Sequence, residues 1–310
     1  MTDWRKEKVV VFLGGNSRER EVSLRSGASV LSAFASKKIE AHPFDPKEGD
    51  FSCFLPKGGQ SFTRAFIALH GKGGEDGVIQ GFCQALGLAY TGSGVAASAL
   101  AMDKALAKLV FRDAGVPTPE GVAVESDDEE KALELAMDLG FPLAVKPARE
   151  GSTLGVTLVD GEKDFFAAWN KARDFDTKVL LEKRIKGAEL HAAILGKEVL
   201  PLVRVLPKTG FYDYDAKYTP GKTDYFCPSG LDAEKERLVG QTAMDAFLAL
   251  GCQGWGRVDI ILTENGPRVL EVNTIPGMTK TSLVPMAARA RGLDFADLVL
   301  EIASRAGEDF

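Results

Sequence analysis

The feature that most constrains the fold is the alternation of apolar strands, glycine-rich loops and helical segments at the start of the chain. Residues 9–13 are a short apolar run, and a turn of small residues leads from it into a segment with helical apolar spacing. A second apolar run, 65–69, precedes the loop HGKGGEDG and a helical stretch, 78–86, which Gly87 terminates. Strands and helices in this order predict a parallel sheet with helices on both faces.

The pattern changes in the middle of the chain, after a predicted helix over 100–114. Two short apolar runs, 143–146 and 156–159, are joined by the small-residue loop PAREGSTLG. This arrangement predicts a hairpin rather than a strand-to-helix turn. With an acidic helix, 127–139, and a strand, 179–182, the hairpin predicts a small α+β unit.

The remainder predicts a third unit, a mixed sheet with one long helix. Its strands are expected at 190–195, 200–206, 258–262 and 269–272, and its helix at 233–250. The fold class is therefore α/β and α+β in three domains. They are an N-terminal parallel-sheet domain (1–103), a central α+β domain (104–184) and a C-terminal mixed-sheet domain (185–310) with a Tyr-rich functional loop (209–228).

Composition and charge limit the classes of function. The 310 residues are 45% hydrophobic and 26% charged, as in ordinary globular proteins. A formal net charge of −6 argues against nucleic acid or an anionic membrane as partner. The four Cys form no CxxC pair and the three His lack metal-ligand spacing, which predicts reduced thiols and no zinc site. The first apolar run is too short for a signal or a membrane span, so we expect a cytoplasmic protein.

The strongest chemical signal is the pair of segments GRVDIIL and RVLEVNT near the C-terminus. Residues two apart on a strand share a face, so Glu271 and Asn273 point the same way. Asp259 lies on the preceding strand. A carboxylate pair with an amide suits Mg²⁺, whereas the alternative is an exposed polar strand face with incidental acids. The Asn within an apolar strand favours the metal site.

The turn between these two strands decides whether the carboxylates meet. In a two-residue Asn265-Gly266 turn, Asp259 opposes Val272 and faces away from the other carboxylate. In a three-residue loop with a left-handed glycine, Asp259 opposes Glu271 and the oxygen ligands converge. We predict the three-residue loop.

Lysines are the candidate ligands for an anion. Lys146 ends an apolar strand and precedes EGSTLG, whose small residues allow backbone N–H groups to approach an anion closely. A lysine on a buried strand is rare without an anionic partner, so we favour this interpretation over a snorkelling side chain. Lys104 and Lys217 carry weaker signals, because a helical or loop lysine is usually solvated.

Three other side chains each have two interpretations. Glu19 stands at the start of the first helix, where acids usually serve the helix dipole. His70 ends a strand before a glycine-rich loop, and it either orients a substrate or is a satisfied structural histidine. Arg257 shares the strand face of Asp259, where it forms an ion pair or stabilises a developing oxyanion.

One segment, AKYTPGKT, nearly matches a phosphate-binding loop in sequence but not in context. No apolar strand precedes it, Pro220 lies within it, and DYFCPSG after it cannot begin a helix. We therefore reject this assignment. The first turn also lacks G-x-G-x-x-G, so a dinucleotide-binding fold has weak support.

Taken together, seven motifs resemble those of the D-alanine–D-alanine ligase family. In chain order they are GGNSREREVSLRSG, HGKGGEDGVIQGFCQALGLAYTGSG, SALAMDK, KPAREGSTLGV, FYDYDAKY, YFCPSGL and GWGRVDIIL…LEVNTIPGMT…SLVPMAA. The resemblance implies an ATP-grasp architecture and ATP-driven joining of two D-alanines through an acyl-phosphate, for peptidoglycan precursors in bacteria. It also implies two Mg²⁺ ions, with Mn²⁺ as a substitute, and a homodimer.

The resemblance implies roles at the amino-acid substrates. Glu19 would hold the first ammonium with His70 nearby, and Ser282 and the Leu283 amide would receive the second carboxylate. The tetrahedral oxyanion would be stabilised by Arg257 and the Gly277 backbone. The network that closes the loop over the site would consist of Glu19, Ser152 and Tyr218.

It likewise implies roles at the nucleotide. The phosphate ligands would be Lys104, Lys146 and Lys217. The adenine and ribose ligands would be Glu182, Lys183 and Glu189. The metal ligands would be Asp259, Glu271 and Asn273.

Two positions bear on the interpretation of this resemblance. Leu190-His191-Ala192 stands where the family usually has an aromatic residue followed by Thr and Val, which predicts different local packing. Tyr218, in the AKY pattern, favours D-alanine over D-lactate as second substrate. The alternatives are a ligase for another amino or hydroxy acid and a nucleotide-binding module without turnover.

Overall fold

The structure, a computed structural model, describes residues 3–54, 62–125, 127–208, 219 and 221–307. Within these ranges the helices are α1 (Arg20–Ser36), α2 (Val78–Ala85), α3 (Val95–Met102), α4 (Lys104–Asp113), α5 (Glu129–Leu139), α6 (Phe165–Arg173), α7 (Ala233–Ala249), α8 (Leu283–Ala290) and α9 (Phe295–Ser304). The strands are β1 (Val9–Phe12), β2 (Ala41–Phe44), β3 (Arg64–Ile67), β4 (Ala89–Tyr90), β5 (Gly121–Val124), β6 (Leu143–Pro147), β7 (Thr157–Val159), β8 (Val179–Lys183), β9 (Ala188–Leu195), β10 (Glu198–Val199), β11 (Val203–Pro207), β12 (Thr223–Phe226), β13 (Trp255–Thr263) and β14 (Gly266–Asn273).

The N-terminal sheet has the strand order β2-β1-β3-β4, and its neighbouring strands are parallel. This arrangement confirms the predicted parallel sheet. All four side chains of β1 are buried, as expected for a strand covered on both faces. Strand β2 was not predicted, because His42 and Pro43 interrupt its apolar pattern; a proline is compatible with its position at the sheet edge.

The central sheet has the order β5-β8-β6-β7 and antiparallel pairing throughout. The pairing of β6 with β7 confirms the predicted hairpin. Helices α5 and α6 pack against this sheet, and Phe165 and Trp169 of α6 stack in its core at a centroid distance of 6.2 Å. The sequence analysis did not identify α6.

The C-terminal sheet has the order β12-β11-β9-β13-β14, with β10 paired to β9. We predicted a mixed sheet, but its strand pairs in the described ranges are all antiparallel. Short turns connect β9 to β10 and β13 to β14, and such turns can join only antiparallel neighbours. Part of the predicted functional loop is also strand, because 223–226 form β12 at the sheet edge.

The predicted helix over 100–114 is in fact two helices, α3 and α4. Asp103 separates them with an extended backbone (φ −90°, ψ 97°), and its side chain accepts hydrogen bonds from the Ala105 and Leu106 amides. This is an N-cap that begins a new helix. The break makes Lys104 the first residue of α4.

The turn between β13 and β14 differs from the predicted three-residue loop. Thr263 pairs with Gly266, so the loop contains only Glu264 and Asn265. A β-bulge at Leu270 then shifts the register by one residue. The expected outcome is nevertheless confirmed, since the bulge places Asp259 opposite Glu271.

The last two helices return to the N-terminal sheet. Helices α8 and α9 share one apolar core with β1, β3 and one face of the C-terminal sheet, whereas α7 packs on the opposite face of that sheet. Arg64 of β3 donates to the carbonyl oxygens of Ala303 and Ala306 at 2.8 and 3.1 Å. In the described part of the chain, every helix is too short or too polar to cross a bilayer.

Candidate active site

Two cavities adjoin where the three sheets meet. The larger cavity, of about 660 Å³, lies between the central and C-terminal sheets. The smaller, of about 210 Å³, lies between α1, the 150–152 loop and the start of α8. Lys104, Glu150 and Glu271 line both of them. The larger cavity has the size of a cofactor site, and the shared residues mark its junction with the smaller.

Glu19 connects the N-terminal sheet to the loop after β6. It is the N-cap residue of α1, but its side chain makes no capping hydrogen bond. Its Oε1 instead accepts a hydrogen bond from the Ser152 hydroxyl across the smaller cavity. A Cβ at Gly151 would stand 2.6 Å from Glu19 Oε2, so this approach requires a glycine. Service to the helix dipole alone does not account for the geometry of Glu19.

His70 is 4% exposed and lines the smaller cavity. Its Nε2 lies 2.9 Å from Ser26 Oγ, and its Nδ1 lies 2.9 Å from the Ile275 carbonyl oxygen. Since a carbonyl only accepts, Nδ1 carries the proton. Glu75 Oε1 is 3.5 Å from the same nitrogen. Burial raises the pKa of Glu75 above its ordinary value, and although His70 opposes this effect, Glu19 adds to it.

Asp259 is 4% exposed in the middle of β13, and two residues place three donor nitrogens beside its carboxylate. Arg257 donates from Nε and Nη2 to its two oxygens at 2.6 and 2.8 Å, and His191 Nδ1 lies 2.7 Å from Oδ1. Burial alone would raise the pKa of Asp259, but Arg257 and His191 hold it well below its ordinary value. Burial lowers and Asp259 raises the pKa of His191, and the net direction is upward.

Glu271 faces Asp259 across the strand pair and contacts α4. Its Oε2 lies 3.1 Å from Lys104 Nζ, which also donates to the Glu150 carbonyl oxygen at 2.6 Å. Burial lowers the pKa of Lys104, but Glu271 raises it further, so its net shift is upward. The two cavities therefore meet at an ion pair whose lysine is protonated.

The predicted metal ligands Asp259, Glu271 and Asn273 lie on one face of the β13–β14 pair, because Arg257 opposes Asn273 and Asp259 opposes Glu271. The described residues hold no group of three His, Cys, Asp or Glu side chains suited to a metal ion. The candidate set has two carboxylates, and its third donor is an amide oxygen, which accepts from the Ile275 amide at 3.2 Å. A few hard oxygen donors fit Mg²⁺, which retains waters and takes its other ligands from a substrate.

Glu182 stands between two lysines at the wall of the larger cavity. Lys146 Nζ lies 2.6 Å from its Oε1, and Lys108 contacts its other oxygen. Burial raises the pKa of Glu182, but the two lysines lower it below its ordinary value. Burial lowers the pKa of Lys108 to about 8 despite Glu182. The three side chains therefore confine a net positive charge beside the cavity.

Helix α8 begins at the smaller cavity. Ser282 is its N-cap residue, and Leu283 is its first helical residue. Both line the cavity, as does Gly277. Ser282 Oγ accepts from the Thr279 amide at 3.1 Å. The N–H groups of a helix N-terminus favour an anion, and here they face the cavity that contains Arg257.

Two other predicted ligands, Lys183 and Glu189, line the larger cavity. Lys183 is exposed and lies 3.3 Å from Glu120 Oε2. Lys217 and Tyr218 lie outside the described residues, so their predicted roles stay predictions. The structure brings the remaining predicted site residues to the two cavities, with the hydroxyl of Ser152 on Glu19.

The sequence analysis missed Glu75, Lys108 and Glu150. Glu75 lies within the glycine-rich motif HGKGGEDG, which was recognised without a role for its acid. Lys108 follows Lys104 by four residues, a spacing that places both on one helix face. From sequence alone, a lysine in a helix is expected to be solvated, and only the fold shows that Lys108 is buried.

A cavity that confines positive charge, set between an antiparallel four-stranded sheet and a second sheet with a Glu–Asp–Asn cluster, defines an ATP-grasp ligase. The family model described as D-ala D-ala ligase C-terminus matches residues 110–304. The D-alanine–D-alanine ligase of Nitrosospira multiformis is 52% identical over 296 residues, which cover 95% of each chain. The chain belongs to the D-alanine–D-alanine ligase family.

Solved structures agree with this assignment. The D-alanine–D-alanine ligase from Bacillus anthracis complexed with ATP superposes with a TM-score of 0.80 at 32% identity, covering 96% of each chain. The VanG D-Ala:D-Ser ligase from Enterococcus faecalis gives a TM-score of 0.83 at 31% identity, covering 96% of this chain and 99% of the other. The described fold is thus shared by ligases whose second substrates differ.

Proposed function

We propose that the protein joins two D-alanines to D-alanyl-D-alanine with ATP, through an acyl-phosphate, for bacterial peptidoglycan precursors. The observation that carries the proposal is the junction of the two cavities at Lys104 and Glu271. Phosphoryl transfer from a nucleotide to a small acid requires that the two binding sites adjoin. The charges at the junction must be balanced by groups of opposite charge. The family assignment supplies the substrates.

ATP occupies the larger cavity in this proposal. The cationic cluster of Lys146 supports a place for phosphates there, and Lys104 and Lys146 are assigned to the α- and β-phosphates. Glu182 and Lys183 are assigned to the adenine and Glu189 to the ribose hydroxyls. Glu182 is already neutralised by two lysines, so its contribution to adenine binding is a hydrogen bond rather than a charge.

Asp259, Glu271 and Asn273 would hold two Mg²⁺ ions, with Mn²⁺ as a substitute. When bound, the ions supply neutralisation of the phosphate charge that develops in transfer. Arg257 and His191 hold the pKa of Asp259 well below its ordinary value, and Glu271 forms an ion pair with Lys104.

The first D-alanine is assigned to the smaller cavity, with its ammonium on Glu19 and His70 nearby. Its carboxylate oxygen attacks the γ-phosphorus, and ADP leaves. The mixed anhydride that forms is a far better acyl donor than a carboxylate, but water would hydrolyse it. The predicted closing loop, which contains Lys217 at the γ-phosphate and Tyr218 on Ser152, provides the exclusion of water that this chemistry requires.

The second D-alanine binds with its carboxylate at the N-terminus of α8, on Ser282 and the Leu283 amide. Its neutral amine attacks the acyl carbon, and the tetrahedral intermediate expels phosphate. Arg257 and the Gly277 amide are assigned to the oxyanion of that intermediate. The helix N-terminus and the guanidinium line the same small cavity, which supports this placement.

The proposal extends to the setting of the enzyme. The homodimer is what the family resemblance implies. The cytoplasm is proposed because the four Cys form no CxxC pair, which fits reduced thiols. Size-exclusion chromatography with light scattering tests the dimer.

The decisive experiment is incubation with ATP, Mg²⁺ and a panel of amino and hydroxy acids. The panel includes D-alanine, D-serine, D-lactate and L-alanine, and mass spectrometry identifies the product. We expect D-alanyl-D-alanine and one ADP per dipeptide. A preferred D-alanyl-D-serine product would assign the chain to the other second substrate, and nucleotide binding without ADP release would contradict the ligase.

Substitution of Glu271 by Gln tests the role of the carboxylate pair. We expect Glu271→Gln to lower kcat by at least about 100-fold, because the loss of one charged ligand weakens electrostatic stabilisation in the transition state. Glu264→Gln in the exposed turn of the same hairpin is the matched control and should leave kcat unchanged. A kcat close to that of the wild type in Glu271→Gln would exclude the metal assignment.

A further inference from the structure

One buried histidine lines neither cavity and yet contacts an acid that lines the larger one. His191, in the middle of β9, is 1% exposed and is not among the residues that line the two cavities. Its Nδ1 lies 2.7 Å from Asp259 Oδ1, and its Nε2 lies 3.5 Å from Glu189 Oε1. Because an ionised carboxylate only accepts hydrogen bonds, the Nδ1–H group donates to Asp259.

The sheet itself fixes this contact. His191 directly opposes Asp259 in the antiparallel pairing of β9 with β13, and Glu271 opposes Asp259 from β14. Directly opposed residues share a face and lie about 5 Å apart at Cβ. The imidazole is therefore a donor whose position depends on backbone register rather than on a long, adjustable side chain.

Arg257, the other partner of Asp259, is different in this respect. It lines the smaller cavity and its side chain is 14% exposed. Its Nε and Nη2 donate to the two oxygens of Asp259. A guanidinium has five N–H donors, so an oxyanion in the cavity would share the donors of Arg257 with Asp259. A buried carboxylate that loses a partner without replacement is strongly destabilised.

We propose that His191 is a positioning residue, which holds the Asp259 carboxylate in place while Arg257 shares its donors between Asp259 and the substrate oxyanion. The proposal rests on the proposed function, in which Arg257 stabilises that oxyanion. His191 never touches the substrate and acts through Asp259.

Two variants separate this role from a merely structural one. In His191→Asn the side-chain amide offers an N–H group near the position of Nδ1, whereas in His191→Leu a side chain of similar volume has no donor. We expect His191→Leu to lower kcat about tenfold or more with the KM for D-alanine little changed. His191→Asn should stay within about threefold of the wild type. His42→Leu, at the edge of the N-terminal sheet, is the control and should have wild-type kinetics.

A binding measurement provides a readout that does not need turnover. Calorimetry gives the affinity for ADP with and without Mg²⁺ for each variant. We expect equal affinities without the metal. The increase in affinity on addition of Mg²⁺ should be about tenfold smaller in His191→Leu than in the wild type, and largely restored in His191→Asn.

The outcomes distinguish a failure of the positioning role of His191 from a failure of the proposed function. Equal losses in the Asn and Leu variants, or no loss in either, would overturn the positioning role. If His191→Leu does not fold, His191→Gln takes its place, since its amide reaches the position of Nε2 rather than Nδ1. If the wild type makes no ADP with D-alanine, the proposed function fails, and the ADP calorimetry still decides the role of His191.

Discussion

At the scale of single residues, charged side chains of the site form ion pairs with one another. Asp259 is paired with Arg257, Glu271 with Lys104, and Glu182 with Lys146, each at 2.6 to 3.1 Å. Buried charges are tolerated only when they are paired, so each of these pairs stabilises charged groups in a partly buried site. A charged ligand can then exchange partners with the site without creating a new buried charge.

Lys108 differs from these one-to-one pairs, because it shares the carboxylate of Glu182 with Lys146. Burial lowers the pKa of Lys108 to about 8 from an ordinary value of 10.5. Between these values the unfolded chain binds more protons than the folded one, so this group makes stability rise with pH. Below pH 8 the lysine is charged in both states, and the full cost of burying the charge is present.

We therefore expect the free energy of unfolding of the wild type to rise between pH 7.5 and 9.5, relative to that of Lys108→Met, by about 2 kcal/mol. Urea denaturation at both pH values measures the difference. The variant is its own control for all other titrations. Parallel pH dependence of the two proteins would show that Lys108 titrates normally.

At the scale of elements, glycines and one bulge set the geometry of the site. Gly266 has φ +97° at the end of the β13–β14 turn, with open space around a hypothetical Cβ. Gly151 has no such backbone requirement, but its Cβ would meet the Glu19 carboxylate. One glycine is needed for the turn and the other for the close approach of the loop after β6 to Glu19 at the start of α1.

This contrast predicts opposite effects of two alanine substitutions. Gly266→Ala should lower stability by about 1–2 kcal/mol through backbone strain and leave activity close to that of the wild type. Gly151→Ala should leave stability nearly unchanged, because only the end of a flexible side chain has to move. It should lower kcat/KM, because Glu19 is displaced from Ser152. Thermal unfolding measures stability and ADP release measures activity. A loss of activity in Gly266→Ala together with a loss of stability in Gly151→Ala would contradict the geometry.

At the scale of the whole molecule, the last two helices pack against the N-terminal sheet. Helices α8 and α9 share their core with the N-terminal sheet. Arg64, which is 9% exposed, ties β3 to two carbonyl groups at the end of α9 and to Glu7. A chain that closes on itself in this way couples the sheet that carries Glu19 and His70 to the helix that begins at Ser282.

We expect Arg64→Met to destabilise the protein by about 2 kcal/mol, since it removes charge-assisted hydrogen bonds to two carbonyl groups. Lys37→Met is the matched control: it also removes a cation between α1 and α9, where Lys37 meets Asp297 at 2.5 Å, but both side chains are substantially exposed. Its effect should be much smaller. Thermal unfolding measures both effects. Equal shifts of Tm in the two variants would show that the buried hydrogen bonds to the carbonyl groups stabilise the protein no more than the exposed ion pair does.

The sequence by itself determined the elements and the chemistry that they carry. The strand–loop–helix alternation, the hairpin around EGSTLG and the set of Asp259, Glu271 and Asn273 follow from local periodicity and turn residues, which act over a few positions. The resemblance of seven motifs then predicted the family. The turn of the β13–β14 hairpin was predicted wrongly because the bulge at Leu270 has no local signature.

Only the tertiary structure decided which groups meet. The opposition of Asp259 and Glu271 depends on strand register, the burial of Lys108 and Glu75 depends on neighbours far along the chain, and the attachment of α9 to β3 spans most of the chain. Such contacts form when distant segments exclude water together, and no window of adjacent residues contains that information. The sequence therefore specifies the ligands of the site, whereas packing specifies their partners.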